Sequence, residues 1–208
     1  MTRDADGIAP IQEVMTFYRV AYGNYLTAER IEQEREAYRR AVEERGRRWT
    51  DADLDHLMLN HLTVADEERP AIVCVVFCAA ALEALINDYA ICALSKGYLQ
   101  NYLDRLQPLA KWLVFPRLIA RRQMDTDGQA FQGLAELFRL RNDLVHFKRM
   151  NEGQAQRRTH DRLTHAQAGK AVGAVRGAAA ELKRLDKRVR TDWVAESEAA
   201  ARREMIPG

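Results

Sequence analysis

Arg141, Asn142 and His146 lie within "LFRLRNDLVHFKRM", residues 137–150, a run whose other positions are largely apolar at helical spacing. A guanidinium presents a planar fork of N–H donors that matches phosphate oxygens. An imidazole, with an ordinary pKa near about 6.5, is the side chain best suited to moving protons at neutral pH. The two together suit chemistry at a phosphate. Their spacing, however, is awkward. On an ideal helix five residues turn the chain through roughly 500°, which leaves Arg141 and His146 about 140° apart around the axis. Convergence on one ligand then needs a helix end near His146, a long arginine reaching around, or a second copy of the motif. A two-fold interface supplies the last most simply, so the spacing predicts a homodimer with a composite cleft. The bland reading is a histidine beside a helix C-terminal dipole and an arginine paired only for structure.

The elements that must carry these residues all read as helix. The chain has 208 residues, 47% hydrophobic and 30% charged, which fits a soluble globular protein and argues against general disorder. A net charge of +2 neither demands nor excludes nucleic acid, so any electrostatic case rests on local clustering. Residues 11–47 hold few breakers after Pro10 and end in a dense mixture of Glu and Arg, a solvated helix. Thr50 with Asp53 marks a helix start, and Leu54, Leu57, Met58 and His61 follow at helical spacing. Pro70 suits the first turn of the long apolar helix, and Gly97 its end.

That stretch, "AIVCVVFCAAALEALINDYAICALS", is long enough to suggest a membrane span. Glu83, Asn87 and Asp88 stand within it, where charge is expensive in lipid, and favour a buried core helix. Cys74, Cys78 and Cys92 all fall on it, and read as reduced, buried apolar residues of a cytoplasmic protein. No histidine or further cysteine accompanies them at ligand spacing, so no metal or other cofactor is expected. Pro108 and Pro116 limit the next segment to short helices or a kinked one, and "DTDGQ" reads as a turn. A helix resumes over residues 129–148, "MNEGQAQRRTHDR" reads as a loop, and Thr164 caps a last long helix rich in Ala and Gly. The tail beyond Trp193 reads as frayed. The fold class is all-α.

"RNDLVH" resembles the Arg–polar–three residues–His signature of the HEPN domains (higher eukaryotes and prokaryotes nucleotide-binding). "FCAAALEALINDY" is similar to the family's apolar helix with an inward Glu and Asn, and "KWLVFPRLI" to its short middle segment. The resemblance covers roughly residues 70–190. It implies a helical bundle over residues 66–192; residues 1–65, which the family pattern does not explain, read as an N-terminal helical extension packed on the core, and residues 193–208 as a tail. It also implies a metal-independent endoribonuclease that leaves 2′,3′-cyclic phosphate ends, in the style of toxin or phage-defence enzymes. RNA and an antitoxin protein would be its partners, and no membrane is involved. In that scheme His146 is the general acid or base, Arg141 clamps the scissile phosphate, and Asn142 orients the histidine or donates to phosphate. The alternative is a non-catalytic HEPN-like module that binds RNA, nucleotide or a protein partner.

Two further sets of residues extend this expectation. Glu83, inside "CAAALEALIN", is expected to be buried and so to need a cation, with Arg141 the first candidate; Asn87, one turn on, shares its face. Such a pair would hold the guanidinium in place. Lys148, Arg149, Arg157 and Arg158 cluster after the motif and would contact an RNA backbone.

Overall fold

The computed structural model describes residues 8, 10, 12–145 and 163–205. The protein is all-α, and among the described residues the only extended pairing is an isolated parallel bridge between Ile8 and Val189. The helices are α1 (Gln12–Glu44), α2 (Asp51–Leu59), α3 (Val64–Ala93), the single turn α4 (Lys96–Tyr98), α5 (Pro108–Ile119), α6 (Gln129–Val145), α7 (His165–Leu185) and α8 (Asp192–Glu204). A π-helical turn, Leu99–Leu103, continues α4.

Helix α3 is the axis of the bundle. It packs most extensively against α1 and also meets α5, α6 and α7. Partners on several sides explain why its buried residues, such as Cys74, Val75, Cys78, Leu82 and Ile86, do not keep to one stripe. By length and composition the described residues hold one stretch apolar enough to cross a membrane, within Asp51–Ala93, and here the side chains of α3 fill the protein core. Cys74 and Cys78 are buried one turn apart with their sulfurs 4.0 Å from each other, whereas Cys92 is only half-buried.

Helix α3 begins earlier than expected. Thr63 accepts a hydrogen bond from the Asp66 backbone N–H while the Asp66 carboxylate accepts from the Thr63 N–H, a reciprocal cap. Pro70 therefore lies inside the helix, buried against the core, and not in its first turn. The helix ends at Ala93, before Gly97, which stands in α4. Thr50 and Thr164 cap α2 and α7 in the same reciprocal way, with Asp53 and Gln167 as their partners. The apolar spacing on α2 leads to little burial, because Leu54 and Met58 remain exposed.

The segment expected to fray is instead helix α8. Trp193 is buried edge-on to Tyr18 of α1, with ring centroids 5.6 Å apart. Glu198 of α8 accepts from the Tyr18 hydroxyl at 2.6 Å and from Arg176 of α7 through two bonds at 2.7 and 2.8 Å. Burial raises the affinity of Glu198 for a proton, but the bonds from Arg176 and Tyr18 outweigh it and hold the carboxyl below its ordinary pKa. This charged knot and the aromatic contact join α1, α7 and α8, and Arg202 of α8 adds a hydrogen bond to the Tyr22 hydroxyl of α1. Residues Val14, Tyr18, Tyr22 and Ala28 of α1 belong to the same core as α3.

Small residues let α6 and α7 approach closely. A methyl group built on Gly133 would stand 3.5 Å from the Ala174 Cβ, and one on Gly177 3.9 Å from the Ala130 Cα. Their contact sets where the far end of α6 lies.

Candidate functional site

Helix α6 buries Leu134, Leu137 and Phe138, at intervals of three and one, and turns its charged residues outward. Near its end Arg139 pairs with Asp143 one turn on, Nη1 to Oδ2 at 3.0 Å. Arg141 donates from Nη1 to the Asn142 Oδ1 at 3.1 Å. That amide oxygen is the only partner of the Arg141 guanidinium among the described residues. An open cavity of about 680 Å³ borders this helix end, lined by Arg105, Gln107, Pro108 and Phe138 together with Arg141 and Asn142. Arg105 is exposed and also meets no carboxylate among the described residues. The paired Arg139 and Asp143 line the same groove, and Arg105 and Arg141 leave it with a surplus of positive charge, the kind of surface that accepts an anion.

His146 follows the last described residue of α6, Val145, and lies outside the described residues, as do Lys148, Arg149, Arg157 and Arg158.

The expected pair of Glu83 with Arg141 does not form. Glu83 is half-buried, not buried, and has no ion pair among the described residues. Its strip of α3 is not fully covered, so the carboxylate keeps part of its hydration and does not require a cation. Asn87, expected beside Glu83, turns to another group: its Oδ1 accepts from Lys111 Nζ of α5 at 2.9 Å.

The acid that does meet the demand for burial with a cation is Glu67, which the acidic run "ADEE" does not distinguish from its neighbours. It is 1% exposed. Arg35 of α1 donates to it at 2.5 Å, and the His165 backbone N–H, in the first turn of α7, at 2.7 Å. The His165 ring Nδ1 lies 3.3 Å away. Burial works against ionisation, yet the His165 backbone and Arg35 bonds prevail and lower the Glu67 pKa. A helix N-terminus adds to this preference for negative charge. No local signal reveals the residue, because its partners stand 32 and 98 positions away.

The other basic residues of the C-terminal region are largely paired in place. Arg184 bonds Glu181, Arg188 bonds Asp186 and Arg190 bonds Asp192. Tyr98 and Tyr102 are exposed with their rings 5.5 Å apart, and neither lines the groove at Arg141. Among the described residues no group of three His, Cys, Asp or Glu side chains is placed to hold a metal. Compared with models of protein families, with curated proteins and with solved structures, the chain has no match.

Proposed function

We propose that this chain is a metal-independent endoribonuclease of the HEPN type, acting on RNA as a homodimer in which Arg141 and His146 of both subunits line one cleft. The observation that supports the reading is the condition of Arg141. Its half-buried side chain is steadied by the Asn142 amide and neutralised by no described carboxylate, in a groove that also holds Arg105. In such a cleft the 2′-hydroxyl attacks the adjacent phosphorus, the bond to the 5′-oxygen breaks, and a 2′,3′-cyclic phosphate and a 5′-hydroxyl remain. His146 carries a proton between the attacking or leaving oxygen and solvent. The N–H donors of Arg141 meet the charge that develops on the phosphate oxygens. Lys148, Arg149, Arg157 and Arg158 add contacts to the RNA backbone, so binding weakens as salt rises. A toxin or defence role in the cytoplasm, restrained by an antitoxin protein, belongs to the same reading.

End-labelled single-stranded RNA in excess EDTA, incubated with wild type and His146→Ala, tests it. The wild type should release 2′,3′-cyclic phosphate ends, and the variant should lose roughly 10²–10⁴-fold activity while remaining a dimer in sedimentation. Undiminished cleavage by His146→Ala removes that residue as proton carrier. RNA bound in a salt-sensitive way but cut by neither protein overturns catalysis and leaves a non-catalytic binding module.

A further inference from the structure

A second cavity, of about 680 Å³, opens between the end of α3, the π-helical turn and the start of α5. Ala90, Ile91, Leu94, Leu99 and Phe115 give it an apolar wall. Its volume is in the range of sites that hold small organic ligands. Two polar side chains from facing helices enter this wall, Asn87 and Lys111. Lys111 is 5% exposed, and a lysine that deep ordinarily lies against a carboxylate. Here Nζ bonds only to the neutral Asn87 Oδ1 at 2.9 Å, and among the described residues no carboxylate comes within ion-pair distance of it. Lys96, Gln100 and Asp104 also border the cavity, all three exposed, and Glu83 lies one turn before Asn87 without pairing to Lys111.

The donor count defines what is missing. A lysine ammonium has three N–H donors and no acceptor, and one donor is spent on Asn87. The Asn87 oxygen already accepts from the ammonium, while the two N–H groups of its amide donate to no described residue. At its buried end, between Asn87 and Lys111, the cavity therefore presents a surplus of donors and one positive charge that no carboxylate balances. Its complement is a group that only accepts and carries a single negative charge. A carboxylate meets both conditions. A phosphate dianion would bring a second negative charge to the buried end, where Lys111 is the single cation and the wall is apolar, and burying that charge unpaired is costly.

We propose that this cavity is a binding site for a small monocarboxylate with an apolar body, whose carboxylate is held by Lys111 and Asn87. The site shares no lining residue with the groove at Arg141, and it stands or falls apart from the RNA reading.

Calorimetric titration of the full chain with octanoate, octanol, acetate and inorganic phosphate tests the site. Octanoate should bind saturably at one site, at least tenfold more tightly than octanol, which lacks the charge, or acetate, which lacks the body. Lys111→Met keeps the length of the side chain and removes the cation, and should weaken octanoate roughly ten- to hundredfold, the worth of hydrogen bonds to a charged group. Asn87→Asp supplies an internal carboxylate to Lys111 and should weaken octanoate similarly. It carries the test if Lys111→Met does not fold, and circular dichroism checks the helicity of both. The proposal is overturned if octanoate does not bind saturably, if octanol, acetate or phosphate binds as tightly, or if a folded variant keeps wild-type affinity.

Discussion

At the start of α3, Glu67 is 1% exposed and receives donors from α1 and from the first turn of α7. At the end of α6, Arg141 has one neutral partner a single residue away and an open groove beside it. Both are charged groups on long helices of the same bundle. The difference teaches where each acts. A charge whose bonds come from distant parts of the chain is committed to holding those parts together. A charge whose donors remain unspent retains the capacity to bind something else.

The comparison breaks most visibly at Glu67. Replacing it with Ala leaves the half-buried Arg35 without its counter-charge and should cost about 3–5 kcal/mol, read by urea unfolding. A loss below about 1 kcal/mol would mean that the three helices are held by packing alone. Because the folded pKa of Glu67 is lowered, its contribution is fully present above the unfolded value of about 4.3 and fades as pH falls through the folded value. Wild type should therefore lose more stability below about pH 4.3 than Glu67→Gln does. Thr63→Ala, at the same end of α3, removes a cap and should cost about 1 kcal/mol. An unchanged Tm would show that the Asp66 carboxylate suffices there. Smallest of all, Arg141→Ala should shift stability by no more than about 0.5 kcal/mol. A large destabilisation would place Arg141 in the same structural class as Glu67 and weaken its assignment to a ligand.

How legible each region was follows from the range of its interactions. The caps at Thr50 and Thr164 and the turn over residues 125–128 are local, and the sequence pattern predicts all three. Helix α8 is not local: Trp193 and Glu198 find Tyr18 across the length of the chain, so a polar, alanine-rich tail reads as frayed until α1 is in place. The same limit explains Glu67 and Glu83. Their neighbours in sequence do not single out Glu67 and suggest a buried Glu83, whereas packing buries Glu67 fully and Glu83 only in part. At the site, Arg141 and Asn142 are adjacent and their contact follows from adjacency. Lys111, within "LAKWLVF", carries no sign that it will be buried against Asn87, because the covering wall comes from α3 and the π-helical turn.

The glycine contact between α6 and α7 also governs how finely the groove is aimed. Gly133 rests on Ala174 with room for a methyl group and little more. Arg141 stands eight residues further along the same rigid rod, about 12 Å away. A bulkier side chain at Gly133 would tilt the rod about that fulcrum and carry the guanidinium with it, without altering any residue that faces the groove. Alignment at one end of this protein is thus set by the size of a side chain at the other end of a lever.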